Sequence, residues 1–271
     1  MHTTASDGRS TPESLVADVQ AAGCRTMALT DHDTVAGVAA TRTAAVAAGV
    51  AFVPGIEITA VVDERDVHIL GYYIDVASER LARFLDTQRQ RRRERFVQIA
   101  EKLAGIGAPV DVAEQLESAA PGKAFGRPAL AQALIRAGHA RDVSDAFDRF
   151  LSEGRPGYVV REGESPAVVI EEIRAAAGLA SLAHPGKLRD EGLVERILRG
   201  GIDAVEVYHP DHDAADRARY LDLAERLGLL VTGGSDYHGP GSGRTGGLGT
   251  VSLPPDAFAA LQQAAGEPRH R

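Results

Sequence analysis

Short apolar runs rich in β-branched residues alternate along this chain with longer amphipathic, alanine-rich stretches. Residues 27–30, 52–59, 67–73, 179–184, 204–209 and 229–233 carry the strand pattern. Helical periodicity predicts helices over stretches such as 13–22, 35–48, 166–177 and 214–227. Strand–helix alternation implies an α/β fold with a mostly parallel sheet under helices, either a barrel or a doubly wound sheet. The rhythm breaks once. From about residue 77 to 157 only helical patterns occur: the charged stretch 89–95, then 111–118, 127–137 and 143–152. This block reads as an inserted subdomain, dividing the chain into 1–76, 77–158 and 159–271. The glycine-rich stretch 239–249 reads as tight turns that bring backbone close to a site, and 266–271 as a frayed end.

Composition narrows the function classes. Of 271 residues, 44% are hydrophobic and 25% charged, as in an ordinary soluble globular protein. Thirty-eight acidic residues against 30 basic ones give a net charge of -8, which weighs against a non-specific grip on duplex DNA. A small phosphorylated substrate stays open, because bound cations reverse the field inside an acidic pocket. The single cysteine, Cys24, excludes an intrachain disulfide and a cysteine-based zinc site, and falls where a core residue is expected. No signal peptide is visible, and no apolar run approaches the roughly 18 residues of a membrane span. A cytoplasmic location without membrane contact is the expectation.

The chemistry lies in where histidines and acids fall. Asp31, His32 and Asp33 follow the first predicted strand; Glu57 and His68 lie within the second and third; His184 and His209 end the fourth and fifth; Asp236 and His238 come just after the sixth. In parallel α/β folds the C-terminal strand ends share one face, where sites are built. One histidine at a strand end commonly caps a loop. So many imidazoles and carboxylates buried together without cations would carry large uncompensated polar costs. Nitrogen and oxygen ligands without thiolates suit Mn, Fe, Zn or Mg, and the chemistry of such a cluster is hydrolysis, including displacement at phosphorus. No serine sits in a G-x-S-x-G context, there is no P-loop, and the glycines of 239–249 read as turns rather than as a G-x-G-x-x-G phosphate cradle. The arginine-rich stretch 89–95 reads first as a solvated helix face balanced by Glu94 and Glu101, and second as a surface for a polyanionic substrate.

The segments His2-Thr3-Thr4-Ala5-Ser6-Asp7-Gly8, Thr30-Asp31-His32-Asp33, Pro54-Gly55-Ile56-Glu57, His68-Ile69-Leu70-Gly71, Ala183-His184-Pro185-Gly186 and Gly234-Ser235-Asp236-Tyr237-His238 resemble, in order, the motifs of the polymerase and histidinol phosphatase (PHP) family. The resemblance spans almost the whole chain. It implies a distorted seven-stranded (β/α) TIM-like barrel holding two or three divalent metals, manganese foremost. The helical block, with Phe125-Gly126-Arg127-Pro128 and Tyr158, resembles the TrpH-like branch, which includes 3′,5′-nucleoside bisphosphate phosphatases and 5′-to-3′ exoribonucleases.

Carried over by residue, the resemblance implies that His2, Glu57 and Asp236 hold one metal, and Asp7, His32 and His238 a second. Glu57 would bridge to a third, held with His68 and His184. A metal-bridging hydroxide would be the nucleophile, with Glu57, Asp236, His238 and His209 carrying the catalysis. Arg127 would grip substrate phosphate through its planar fork, and His209 and His212 at the rim would bind phosphate, His209 also protonating the leaving oxygen. Asp31 and Asp33 would orient His32, and His139 would lie on the surface. The family pattern opens with a strand ending in His-x-His, of which this sequence matches only the second histidine, His2. A missing first strand, from a late start or a truncation, and a weakened first metal are therefore expected. The implied activity is removal of the 3′-phosphate from a 3′,5′-bisphosphonucleotide (pAp to AMP). The alternatives are 5′-to-3′ hydrolysis of short RNA, histidinol-phosphate hydrolysis, and a degenerate module that binds without catalysing.

Overall fold

The computed structural model describes residues 1–242 and 247–266. Part of the stretch 239–249 and nearly all of 266–271 therefore lie outside the described residues. Six strands form one sheet in sequence order: β1 (Thr26–Leu29), β2 (Ala51–Val62), β3 (Arg65–Tyr72), β4 (Leu179–Leu182), β5 (Ala204–Tyr208) and β6 (Leu230–Gly233). Helices α1 (Pro12–Ala21), α2 (Val38–Ala47), α7 (Pro166–Ala175), α8 (Glu191–Arg199), α9 (Ala214–Leu227) and α10 (Pro255–Gly266) accompany it. Helices α3 (Glu79–Gly105), α4 (Ala113–Glu117), α5 (Arg127–Arg136) and α6 (Val143–Ala146) form the strand-free block.

Two features depart from the expected barrel. The sheet is open, with β1 and β6 as its edges, so the fold is α/β with six strands and not a closed barrel of seven. Beside the site those edges are linked through Met1 and His2. The Thr30 amide donates to the Met1 carbonyl and the His2 amide to the Tyr237 carbonyl, both at 2.9 Å. Secondly, β3 runs antiparallel to both β2 and β4, while the other pairs are parallel. The cause is the connection between β2 and β3. Only Asp63 and Glu64 lie there, at φ 50° and 64°, the positive-φ pair that a tight hairpin turn of this length requires. A parallel return needs a crossover of about a dozen residues or more.

Burial follows the apolar pattern. Ile56, Ile58, Ile69, Leu182 and Val205 of the sheet pack with Val169 and Ile173 of α7, Ile197 of α8 and Leu223 of α9. Helix α7 is placed by Ser165, which caps the Val168 amide, and by Pro166 in the first turn, where a missing N–H costs nothing. Leu15, Val16 and Val19 of α1 pack with Met27 and Leu29 of β1, and Cys24 lies partly buried against them. The helical block has its own core, built on Phe96, Ile99, Leu103, Leu130, Leu134 and Leu151. Each such side chain stabilises the fold by about 1.5–3 kcal/mol when fully buried. Among the described residues no helix is long and apolar enough to cross a membrane.

Helix α3 corrects the reading of 89–95 as a solvated face. Its buried stripe runs through Leu81, Leu85, Gln88, Arg92, Phe96, Ile99 and Leu103, with Arg95 beside Phe96; the spacing is that of an inward helix face. Arg92 and Arg95 therefore point inward. Arg92 donates to the Asp33 carboxylate, to Thr59 Oγ1 at 2.7 Å and to the Phe125 carbonyl at 3.2 Å. Arg95 Nε donates to the Val159 carbonyl at 2.9 Å. Glu94 accepts from Gln90, not from an arginine.

Candidate metal centre

Eight polar side chains from six segments meet at one end of the sheet: His2, Asp7, His32, Glu57, His68, His184, Asp236 and His238. Glu57 lies at their middle. Its Oε1 stands 2.5 Å from His68 Nδ1 and 3.3 Å from His184 Nε2, while Oε2 stands 3.2 Å from His2 Nε2 and 3.7 Å from His32 Nδ1. Each oxygen thus serves a different pair of histidines. Asp7 Oδ1 faces His238 Nε2 at 3.3 Å, His2 Nδ1 at 3.7 Å and His32 Nε2 at 3.8 Å. Asp236 Oδ1 faces His2 Nε2 at 3.2 Å. His2 and His32 accordingly lie between carboxylates, with at least one at each ring nitrogen.

Local backbone explains how these residues reach one point. Glu57 is mid-strand, opposite His32 across an isolated parallel bridge, and β2 continues past it into the hairpin. His68 arrives at the same end because β3 is reversed. Asp33, His184 and Asp236 have φ of 49°, 29° and 47°; such conformations are costly for side-chain-bearing residues and gather at functional sites. Gly8 closes the first loop tightly, since a Cβ there would lie 2.3 Å from the His2 carbonyl oxygen. The Asp31 carboxylate holds that loop, accepting from the Thr3 amide (2.7 Å), Thr3 Oγ1 (2.6 Å) and Ser6 Oγ (2.5 Å). Asp33 accepts from the Thr59 amide and from Arg92. Both acids therefore set the backbone around His32 and do not orient its ring.

The site fits cations on its own chemistry. His2 Nδ1, His32 Nδ1, His184 Nδ1 and His238 Nε2 are buried and have no hydrogen-bond partner, an arrangement costly for polar atoms unless something binds them. His238 Nδ1 is engaged by the Asp236 carbonyl at 2.7 Å, which leaves Nε2 as the ligating lone pair, as is usual for metal-bound histidines. Among the described residues three groupings have ligand atoms close enough to share an ion: His2–Asp7–His32–His238, His32–Glu57–His68 and His2–Glu57–Asp236. Burial alone would depress His2, but the Asp236 and Glu57 carboxylates override it and raise its pKa to about 9. Burial, reinforced by His68 and Lys187, takes His184 down to about 4. Burial likewise pushes Glu206 up to about 7, with the Asp236 and Glu57 charges adding to it and His209 opposing.

Beside the cluster a cleft of about 230 Å³ is lined by Ser6, Asp7, His32, His68, Arg92, Arg127 and Arg161. The Arg127 guanidinium lies 5.9 and 5.8 Å from the Phe147 and Tyr158 ring centroids, and reaches Asp66 Oδ2 at 3.4 Å. Arg161 Nε bonds Asp66 Oδ1 at 3.0 Å. Burial would raise Asp66, yet Arg161 and Arg127 hold it down to about 2. Arg161 is itself lowered to about 10 by burial and by its neighbours Arg92 and Arg95. Three guanidiniums (Arg92, Arg127, Arg161) thus pair with the carboxylates of Asp33 and Asp66, and the charge of Arg95 also reaches Asp66, a surplus of positive charge that favours an anion.

The remaining predicted residues divide. His209 Nε2 faces Asp236 Oδ2 at 3.5 Å, and its Nδ1 accepts from the Asp211 amide at 3.0 Å. His212 was expected at the rim as a phosphate ligand, but both ring nitrogens are taken: Nδ1 by the Val207 carbonyl at 2.9 Å and Nε2 by the Gly186 amide at 3.2 Å. It braces the turn behind the site. His139 stands apart, against the Pro109 carbonyl. Arg161 and Glu206 were not anticipated. A signal for Glu206 existed: one acid between Val205 and Val207 in an otherwise buried strand.

Comparisons with known proteins agree with this geometry. The family model described as the PHP domain matches residues 1–161. The 5′-3′ exoribonuclease Rnm of Escherichia coli is 35% identical over 248 residues, covering 88% of this chain and 84% of the relative. A 3′,5′-nucleoside bisphosphate phosphatase of Chromobacterium violaceum is 34% identical over 262 residues, covering 94% of this chain and 91% of that one. The crystal structure of a protein described as a metal-dependent phosphoesterase, from Bifidobacterium adolescentis, superposes with a TM-score of 0.88 at 31% identity, over 97% of this chain and 94% of that chain. Shared sequence, shared fold and a cation-ready site lead to one conclusion: the chain belongs to the PHP domain family and is a metal-dependent phosphoric ester hydrolase.

Proposed function

We propose that this chain removes the 3′-phosphate from 3′,5′-bisphosphonucleotides, with two or three divalent cations held by the eight clustered residues. The observation that carries this reading is the guanidinium cleft opening directly onto the ligand cluster. A substrate with two phosphates can place one at each. The activity of the Chromobacterium violaceum relative supports the assignment. The nitrogen and oxygen donors suit Mn²⁺ first, with Fe, Zn and Mg also compatible. When bound, such cations would lower the pKa of water toward neutrality and stabilise the charge that develops in a displacement at phosphorus.

The chain's own residues supply positioning and hydrogen bonding. Arg127, whose guanidinium lies within 6 Å of the Phe147 and Tyr158 ring centroids, grips the non-scissile phosphate. His209, whose Nδ1 accepts from the Asp211 amide, presents its Nε2–H and stabilises the leaving oxygen by donating a hydrogen bond to it. Histidinol phosphate has one phosphate and a cationic amine, which the arginines would repel. A second reading, stepwise 5′-to-3′ hydrolysis of short RNA, is favoured by the Escherichia coli relative. Product analysis separates the two: inorganic phosphate from pAp supports the first, whereas mononucleotides from a 5′-phosphorylated oligomer with little phosphate from pAp would replace it.

Arg127→Ala is expected to raise KM for pAp by roughly 10- to 100-fold, the value of a charge-assisted hydrogen bond. An unchanged KM in steady-state assays would remove Arg127 from the site.

Metal affinity should depend on pH through His2. A cation must displace the proton that the Asp236 and Glu57 carboxylates hold there up to about pH 9. Mn²⁺ affinity should therefore rise about tenfold per pH unit below that value and flatten above it. The sign reverses for stability without metal. Because the folded pKa is raised from 6.5 to about 9, this contribution is complete below pH 6.5 and is lost as pH climbs through 9. Calorimetric titration and thermal melts across that window test both signs.

A further inference from the structure

We propose that Glu206 is a positioning residue for His184, fixing by one hydrogen bond the backbone turn that aims this imidazole at Glu57 and His68. The proposal rests on the reading of His184 as a metal ligand. His184 sits at φ 29°, ψ 57° immediately before Pro185. A residue preceding proline is normally driven into extended conformations, because the proline ring clashes with helical-type backbone at the position before it. His184 therefore occupies a conformation opposed both by its own Cβ and by its neighbour. Something must hold it there.

The holding group is the Glu206 carboxylate. Its Oε2 accepts the His184 amide at 2.7 Å, from the buried centre of β5, between Val205 and Val207. The other end of the turn is fixed from the same direction, where the Gly186 amide donates to His212 Nε2. Between these two restraints His184 Nε2 lies 3.3 Å from Glu57 Oε1 and 3.3 Å from His68 Nδ1. Without the Glu206 acceptor the amide would be buried and unpaired, and the turn would relax toward the extended backbone that Pro185 prefers, swinging the imidazole away from its partners. What matters is the acceptor, not the negative charge. An amide oxygen in the same place can accept the same bond.

Manganese content after reconstitution and dialysis tests this, with affinity from isothermal titration. Glu206→Gln should retain the wild-type number of ions. Glu206→Leu, similar in bulk but without an acceptor, should lose one ion per chain or bind it at least tenfold more weakly, matching His184→Ala. Should Glu206→Leu fail to fold by circular dichroism, Glu206→Met, unbranched like glutamate, takes its place. Wild-type ion number and affinity in the apolar variant, alongside a lost ion in His184→Ala, would overturn the role of Glu206 alone. An equal loss in Glu206→Gln would also overturn it, since charge would then be the requirement. No change in His184→Ala would refute the ligand reading itself, and the proposal with it.

Discussion

Glu57→Ala is expected to lower kcat by about a thousandfold or more, a loss larger than that from any single histidine substitution in the cluster. The basis is geometric. The two carboxylate oxygens face separate histidine pairs, Oε1 toward His68 and His184 and Oε2 toward His2 and His32. One truncation would therefore disturb both of the candidate groupings that share Glu57. Metal stabilisation of developing charge is worth several kcal/mol, and each 1.36 kcal/mol is a factor of ten in rate. Removing a histidine spares the shared carboxylate, so a smaller loss is expected from His68→Ala or His184→Ala. Phosphate release in the presence of Mn²⁺ checks this, and near-full activity in Glu57→Ala would refute the bridging role.

The second large effect is on stability. Asp33→Ala should destabilise the fold by about 3–5 kcal/mol, as expected when one member of a buried ion pair is removed. Asp33 is 1% exposed and Arg92 7%, so truncation strands a guanidinium in the interior with only Thr59 Oγ1 and the Phe125 carbonyl as partners. That pair also joins the helical block to the loop after β1. Asp86→Ala, which breaks the pair of an exposed carboxylate with Arg89, should cost less than about 1 kcal/mol. Urea unfolding of both variants measures the contrast. Similar midpoints would mean that the interior pair contributes little to holding the two parts together.

The site was more legible than the sheet. Ligand-type residues at strand ends stand out because polar groups at the margin of an apolar run are conspicuous, which is how His32, His184, Asp236 and His238 could be read from residue order alone. Direction is different. A strand's alternation reads the same both ways, so the reversal of β3 had to be inferred from its two-residue connection, Asp63-Glu64. The openness of the sheet depends on what lies between β1 and β6, which no local pattern encodes. Arg92 and Arg95 looked solvated because charge dominates composition. Their place on the same helical stripe as Leu85, Phe96 and Leu103 was the signal that they turn inward. The partners of Asp31, Asp33 and His212 were hidden because each is set by packing between segments distant in sequence.

His2 and Asp236 stand 3.2 Å apart although 234 residues separate them along the chain. The cluster thus closes between segments that lie far apart in the order of synthesis. Ribosomes extend a chain by about 5–20 residues per second, so tens of seconds pass between the emergence of the first ligand and the last. During that interval the nascent chain holds an unfinished set of donors, and the cluster cannot close until Asp236 has been added.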